Sequence, residues 1–199
     1  MADNIESKLI SRFKNGDISA FNVLTQVWYD KILSFLYRVL GRMDEAEDVC
    51  QNTFITAYLR LYQLNAAEKF STWLYRIANN QAVDQIRLRK SFLEGKVKWQ
   101  QDDIDESIEP PDSNYVDMES RIDGDALHGL FEKAMRSIPD EQRVVLVMKV
   151  YHDLKFSEIA EVLNIPVNTV KTRMYSGLRA MREALNKNKL IEELLKDAM

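Results

Sequence analysis

The chain has 199 residues, of which 46% are hydrophobic and 29% charged, and its formal net charge is −4. Six Gly and four Pro are too few for a turn-rich all-β architecture, so the composition favours an all-α protein, and the length suits two modest helical domains. One Cys and two His exclude an internal disulfide and a Cys/His zinc site, and we expect neither a metal nor a cofactor.

The sequence carries no recognisable export or membrane signal. No apolar run reaches the roughly 18 to 20 residues that span a bilayer. The first ten residues, MADNIESKLI, lack the basic-then-apolar order of a signal peptide. We therefore expect a cytoplasmic protein without membrane insertion.

Amphipathic segments with apolar residues at three-and-four spacing stand on both sides of an acidic stretch. They predict helices over 5–14, 19–40, 44–63 and 71–90, and then over 126–137, 140–151, 156–163 and 167–186. The stretch 91–125 holds eleven acidic and three basic residues and the pair Pro110-Pro111, which predicts a flexible acidic linker. Because so long a stretch suits a position between domains, we predict domains at 1–90 and 126–199.

The segment from Met43 to Tyr62 has two faces of different character. Small and apolar residues form one stripe, and Cys50 lies on it, so we interpret this thiol as a core residue and not as a redox centre. The opposite face carries Asp44, Asp48, Gln51, Ile55 and Leu59. A merely solvated face rarely carries Ile and Leu, so the pattern favours a protein-binding surface over accidental exposure.

The segment from Lys69 to Lys90 interleaves aromatic rings with cations and amides. This pattern is typical of proteins that bind single-stranded nucleic acid, because bases stack on rings and phosphates meet cations. The alternative is that the aromatic residues are core, which we favour for Trp73 and Leu74. On the polar side of the helical wheel we place Tyr75, Arg76 and Asn79 as predicted contacts. Further cations and amides are Lys69, Asn80 and Arg87.

The segment from Phe156 to Leu185 predicts a helix-turn-helix, with Ser157 as the N-cap of the first helix. In the second helix the buried stripe comprises Val170, Met174, Met181 and Leu185. The opposite face comprises Lys171, Thr172, Tyr175, Ser176, Arg179 and Arg182. Such a face can enter a major groove, neutralise phosphates and read base edges, and the alternative is a basic face that is only solvated.

Three motifs in this order resemble the extracytoplasmic-function (ECF) sigma factors, members of the sigma-70 family that keep regions 2 and 4 and lack region 3. DEAEDVCQNTFITAY resembles region 2.2, FSTWLYRIANN resembles regions 2.3 and 2.4, and IPDEQRVVLVMKVYHDLKFSEIAEVLNIPVNTVKTR resembles region 4. The resemblance spans nearly the whole chain. It implies two helical domains and a function in promoter-specific transcription initiation by binding alone, because the polymerase performs the chemistry.

The resemblance also implies partners and site residues. Core RNA polymerase is expected to bind, through its clamp helices, at Asp44, Glu45, Asp48, Gln51 and Phe54, with Ile55 and Leu59 beside them. The loop from Asn65 to Lys69 and the helix after it are expected to capture an unpaired base of the minus-ten element near Arg76, Asn79 and Asn80. The minus-thirty-five element is expected to meet Asn168, Thr169, Lys171, Thr172, Arg173, Tyr175, Ser176 and Arg179. An anti-sigma factor that masks both domains is expected as a further partner.

The recognition helix departs from the family pattern at Asn168, where the family usually has Gly, and at Ser176 and Leu178, where basic residues are common. The promoter preference of relatives is therefore not carried over to this chain. The competing hypothesis is a two-domain helix-turn-helix regulator that binds duplex DNA as a dimer and has an effector pocket in residues 1–90. An enzyme is less favoured, because we find no Gly-rich phosphate loop, metal-ligand spacing or nucleophile–base arrangement.

Overall fold

The computed structural model describes residues 2–99, 131 and 133–186. The helices are α1 (Ala2–Lys14), α2 (Ile18–Leu40), α3 (Met43–Arg60), α4 (Phe70–Trp99), α5 (Asp140–Val150), α6 (Phe156–Leu163) and α7 (Val167–Asn186). Short 3-10 turns at Leu61–Gln63 and Ala67–Lys69 join α3 to α4, and residues 133–137 are also helical. No strand occurs within these ranges, and the predicted all-α class is confirmed.

The chain divides into two compact units, which we describe separately. The first contains α1 to α4, and the second contains α5, α7 and most of α6. The predicted linker from residue 100 onward, together with residues 126–130 and 132 of the predicted helix at 126–137, lies outside the described residues.

In the first unit, α2 is the central helix and packs against α1, α3 and α4. Its large side chains Ile32, Phe35 and Leu36 are fully buried. The facing stripe of α3 is made largely of small residues, as the sequence predicts, and its members Ala46, Cys50, Thr53 and Ala57 have no exposed surface. Leu61, in the 3-10 turn that follows, continues the stripe and is also fully buried. Burial of these apolar side chains provides the main stabilisation of the unit.

The ends of α2 are fixed by residues suited to these positions. Asp17 accepts a hydrogen bond at its side chain from the backbone N–H of Ser19, 3.1 Å away, which satisfies one of the donors left unpaired at a helix start. At the other end, Gly41 adopts the left-handed conformation with φ of 79° and donates its N–H to the Tyr37 carbonyl. The sharp turn at Gly41 places the start of α3 beside the end of α2.

Two helix ends differ from the sequence prediction. Helix α4 continues to Trp99, nine residues beyond the predicted end at Lys90, because residues 91–99 contain no Pro and a single Gly is tolerated inside a helix. Helix α6 begins at Phe156, so Ser157 lies inside the helix and does not cap it. Instead, Glu158 reaches back and accepts a hydrogen bond from the backbone N–H of Lys155 at 2.6 Å.

In the second unit, α5 packs against α7. Helix α5 contributes the buried run from Val144 to Met148, and α7 contributes Val170 and Met181. Gly177 lies at the contact, where an added Cβ would stand 2.8 Å from Leu146 Cδ1 and 3.3 Å from Gln142 Cβ. An alanine at this position would therefore require the Leu146 side chain to shift, so glycine permits the close approach of the two helices.

Neither a membrane span nor a metal cluster is found in the part of the chain that the structure describes. No helix there is both long and apolar enough to cross a bilayer. Nor do three or more His, Cys, Asp or Glu side chains come together in a group that could hold a metal ion.

Cys50 is the one thiol in the sequence and lies fully buried on α3. Burial, with the negative charges of Asp30 and Glu47, raises the pKa of this thiol to about 12. Because the thiolate is the reactive form, we expect Ellman's reagent at pH 8 to leave the native protein unlabelled and to titrate one thiol per chain in guanidinium chloride. Rapid labelling of the native protein would contradict the buried position.

Candidate functional site

An open groove of about 930 Å³ lies between α2 and α3 on the surface of the first unit. Helix α2 contributes Phe21, Asn22, Thr25 and Tyr29, and α3 contributes Glu47, Asp48, Gln51, Phe54, Ile55, Tyr58 and Leu59. The groove unites the predicted protein-binding face of α3 with a face of α2 for which the sequence predicted no function.

The floor of the groove is aromatic. Phe54 is 8% exposed, and its ring stacks on Tyr29 with centroids 6.1 Å apart. Phe21 and Tyr58 meet edge to face at 5.2 Å. Above this floor, Ile55 and Leu59 are 50% and 69% exposed, as predicted for the outer face of α3. The groove therefore offers a rigid aromatic base with two aliphatic side chains at its edge.

The rim of the groove is acidic. Asp48 and Gln51 are exposed, as predicted, and Glu47 stands beside them. At the start of α3, the Arg42 guanidinium and the backbone N–H of Glu45 hold the pKa of Asp44 below its usual range. Negative charge at the first turn of a helix is also favoured by the helix dipole.

Glu45 is half-buried and already paired within the unit. Its carboxylate lies 3.3 Å from Arg89 Nη1 of α4 and 3.6 Å from Arg42 Nε. Arg89 also donates to the carbonyl of Leu40, the last residue of α2. These contacts join the ends of α2, α3 and α4, so Glu45 supports the groove from one end while the exposed acids line it.

The predicted single-strand contacts on α4 divide into two groups. Lys69, Arg76, Asn80 and Arg87 are exposed. Tyr75 and Asn79 are only 3% and 6% exposed, so their predicted place on the polar side of the helix is wrong. The reason is that α4 packs against both α2 and α3, which buries a wider arc than a helix with one neighbour.

Tyr75 is part of the core. Its ring meets those of Trp28 and Phe35 edge to face, at 6.0 and 5.4 Å, and burial raises the pKa of its hydroxyl above the usual value. Leu74 is fully buried, as predicted, whereas Trp73 is half-buried beside Phe70. Of the aromatic residues on this part of α4, Trp73 therefore keeps the most accessible ring.

The loop that leads into α4 is held by α1. Lys14 Nζ donates a hydrogen bond to the carbonyl of Leu64, the residue before Asn65. Tyr62 Oη donates to the Phe13 carbonyl at 3.4 Å, and the two rings lie 5.0 Å apart. The N-terminal helix thus positions the loop that the sequence analysis places near the minus-ten element.

In the second unit, α7 exposes the polar and basic face that its sequence predicts. Its buried side is formed by Val170, Gly177 and Met181. On the opposite side, the exposed predicted residues are Asn168, Lys171, Thr172, Tyr175 and Arg179, and Arg182 is exposed as well. Thr169 and Ser176 are half-buried at the edges of this face. The hydroxyl of Thr172 donates to the Asn168 carbonyl at 2.9 Å, so it is engaged within the helix.

Arg173 does not lie with the other predicted contacts. Its Nη2 is 2.5 Å from Glu141 Oε2 of α5, and its side chain is only 26% exposed. The guanidinium therefore fastens α7 to α5 instead of extending from the exposed face. Sequence reasoning could not place this residue, because its position depends on a carboxylate 32 positions earlier in the chain.

Family models match both units. The Sigma-70 region 2 model matches residues 24–92, and the Sigma-70 region 4 model matches residues 128–181. The chain is 37% identical over 187 residues to the ECF RNA polymerase sigma factor SigW of Bacillus subtilis, with 89% of this chain and 95% of the relative covered. It is 30% identical over 193 residues to the RNA polymerase sigma-H factor of Pseudomonas aeruginosa, with 90% and 93% covered.

Solved structures have the same fold. The sigma factor RpoE of Bartonella quintana, determined with the anti-sigma factor NepR, gives a TM-score of 0.69 at 17% identity and covers 85% of this chain and 98% of its own. CnrH, determined with the cytosolic domain of CnrY, gives a TM-score of 0.63 at 18% identity, with 92% and 99% covered.

The chain belongs to the ECF sigma factors of the sigma-70 family, which confirms the resemblance found in the sequence. It is therefore a sigma factor that directs RNA polymerase to promoters, and the competing hypothesis of a dimeric helix-turn-helix regulator is set aside.

Substitution of Tyr75 tests the corrected position of this residue. Because its ring fills the core between Trp28 and Phe35, Tyr75→Ala should lower the free energy of unfolding of the first unit by about 3 to 5 kcal/mol. The exposed Asn80→Ala should change it by no more than about 0.5 kcal/mol. Urea denaturation followed by circular dichroism measures both changes. Equal free energies of unfolding for the two variants would contradict the buried position of Tyr75.

Proposed function

We propose that the groove between α2 and α3 is the surface through which this sigma factor binds core RNA polymerase. The observation that carries the proposal is the combination of an aromatic floor, two highly exposed aliphatic side chains and an acidic rim in one open groove. An exposed apolar patch bordered by polar residues is characteristic of protein-binding sites.

The shape and charge of the groove indicate the form of the partner. An elongated groove between two helices suits a helix that lays its apolar face along it, which is a common mode of recognition. Glu47 and Asp48 at the rim favour basic residues beside that apolar face, because complementary charges steer association and fix the register. The clamp helices expected from the family resemblance are partners of this kind.

The predicted polymerase-binding residues then have three different tasks. Asp48, Gln51, Ile55 and Leu59 are exposed and contact the partner directly. Phe54 forms the floor beneath them. Asp44 and Glu45 act at the end of the groove, where their pairing with Arg42 keeps the start of α3 in place.

For the minus-ten element, we propose a contact surface formed by the loop from Asn65 to Lys69 and the exposed side of α4. Lys69, Arg76 and Arg87 supply positive charge for phosphates, Asn80 supplies an amide for a base edge, and the half-buried Trp73 supplies a ring for stacking. Tyr75 and Asn79 are assigned to the support of this surface, because neither is accessible.

For the minus-thirty-five element, we propose the exposed face of α7. Lys171, Arg179 and Arg182 are spaced along one side of the helix and would neutralise phosphates beside a major groove. Asn168 and Thr169 at the start of the helix lie where a recognition helix first meets the DNA. Arg173 is assigned to the packing of α7 on α5 through Glu141.

We further propose that residues 1–90 bind polymerase and the minus-ten element and that residues 126–199 bind the minus-thirty-five element, with 91–125 as the linker between them. The last helix of the first unit, α4, extends beyond the first limit to Trp99. The protein is expected to act in the cytoplasm with RNA polymerase and to perform no catalysis of its own. An anti-sigma factor is an expected regulator, and the Bartonella quintana sigma factor of similar fold was determined with one.

Removal of two side chains from the groove should weaken binding to polymerase. Asp48→Ala combined with Ile55→Ala deletes one exposed acid and one exposed aliphatic group, and we expect the affinity for sigma-free core polymerase to fall at least about tenfold, as for loss of an interface anchor. Run-off transcription from a promoter library at limiting sigma should fall in parallel.

The matched control for this double variant is Asp30→Ala with Val27→Ala. These residues are an exposed acid and an exposed aliphatic group on α2, and neither lines the groove. We expect core affinity close to wild type for the control, with unchanged circular dichroism for both variants. Equal core affinity for wild type and the groove variant would remove the assignment of this surface.

Loss of the anchor between α1 and the loop should affect strand opening more than polymerase binding. Lys14→Met removes the hydrogen bond to the Leu64 carbonyl but keeps an aliphatic chain of similar length. We expect slower open-complex formation, measured by permanganate reactivity of the melted strand, at unchanged core affinity, because the loop is released while the groove is untouched. Lys8→Met, an exposed lysine of the same helix, is the control. Wild-type opening by Lys14→Met would show that the anchor does not position the loop.

A further inference from the structure

Two partly exposed apolar side chains accompany the cations of α7. Tyr175 is 65% exposed and Leu178 is 42% exposed. Exposed Leu and Tyr are common as isolated residues, but these two are three positions apart and therefore adjacent on one side of the helix. Tyr175 points away from the buried Val170 and Met181, whereas Leu178 lies at the edge of the exposed face, next to the buried side.

Cations surround this apolar pair. Lys171 precedes Tyr175 by four residues, Arg179 follows Tyr175 by four, and Arg182 follows Leu178 by four, so all three lie on the same side of α7. The three cations are exposed. A surface that combines apolar groups with cations is complementary to a duplex groove, which has phosphates at its edges and base edges at its floor.

The floor of the major groove offers a limited set of groups to an apolar side chain. Its base edges present hydrogen-bond donors and acceptors, and the one apolar group among them is the 5-methyl group of thymine. An exposed Leu cannot form a hydrogen bond, so a donor or acceptor buried beneath it would lose its water without compensation. A thymine methyl is the group that gains from such a contact.

We propose that Tyr175 and Leu178 form a thymine-methyl reading patch, which makes this sigma factor select A·T pairs at the positions of the minus-thirty-five element that the patch covers. The inference rests on the proposed function of α7 as the helix that reads this element. Three residues advance a helix by about 4.5 Å, and base pairs are about 3.4 Å apart, so the patch covers one or two neighbouring pairs.

The assignment separates two roles on one helix face. Lys171, Arg179 and Arg182 contribute affinity that does not depend on sequence, because phosphates carry no sequence information. Tyr175 and Leu178 contribute preference for a base. Leu178 stands where related factors commonly have a basic residue, so the preference it creates belongs to this chain.

The test uses the full-length protein bound to core polymerase and a promoter library in which only the minus-thirty-five region is randomised. After the preferred element has been selected, each thymine on either strand is replaced singly by deoxyuridine, which removes the methyl group and keeps the base pair. At one or two positions we expect the affinity of the wild-type holoenzyme to fall about threefold to fivefold, the factor expected for loss of one buried methyl group.

Protein variants identify which side chains read the methyl group. In Leu178→Ala and Tyr175→Ala, the ratio of affinities for thymine and deoxyuridine at a sensitive position should fall toward one, because the contact has already been lost. Lys171→Ala should weaken binding to all sequences and keep the ratio. Val150→Ala, which removes methyl groups from an exposed Val at the end of α5, is the matched control and should change neither quantity.

The outcomes distinguish the inference from the function on which it rests. If the library yields no preferred minus-thirty-five element, α7 does not read this element and both ideas fail. If an element is selected but consists of G·C pairs, or tolerates every deoxyuridine without loss, duplex reading stands and the thymine-methyl patch is overturned. The patch is likewise overturned if the sensitivity persists undiminished in both Leu178→Ala and Tyr175→Ala.

Discussion

The close packing of α3 against its neighbours is the constraint on which the first unit depends. Ala46, Cys50 and Ala57 fill the inner stripe of α3, and none of them has exposed surface. Side chains this small let α2 and α4 come near the axis of α3. Ile55 and Leu59 lie on the opposite face, at the edge of a groove whose floor is made by Phe54, Tyr58 and the aromatic residues of α2. The same packing that stabilises the unit thus creates its apolar surface.

Much of this arrangement could be predicted from periodicity. The stripe of α3 and its outer acids follow from one helix with one buried face, and each lies where the sequence places it. Of the stripe predicted for α7, Val170 and Met181 are buried, whereas Met174 and Leu185 are half-buried. The same reasoning failed for Tyr75 and Asn79, because α4 has neighbours on two sides and a single helix cannot reveal how many neighbours it has. The groove itself also escaped prediction, since four of its eleven lining residues come from α2, a helix with buried residues around most of its circumference.

Long-range pairing was equally invisible in the sequence. Arg173 looks like one more cation of the recognition helix, but Glu141 of α5 holds it at the boundary of the exposed face. Arg89 looks like a phosphate contact, but it joins Glu45 to the end of α2. Each pair depends on the path of the chain between its members. Local charge patterns therefore overestimate the number of cations available to DNA, and the structure leaves Lys171, Arg179 and Arg182 as the exposed set on α7.

The two sides of α7 differ in how well they tolerate substitution, and Gly177 marks the inner side. On the inner side, a methyl group would crowd Leu146 and Gln142, so glycine at this position lets the helix lie close to α5. On the outer side, Tyr175 is 65% exposed and Leu178 is 42% exposed. Exchange of the exposed residues can therefore change what α7 offers to DNA while the contact at Gly177 stays as it is. A recognition face transplanted onto another helix would need glycine, or a smaller partner than Leu146, at the inner position to lie at the same depth.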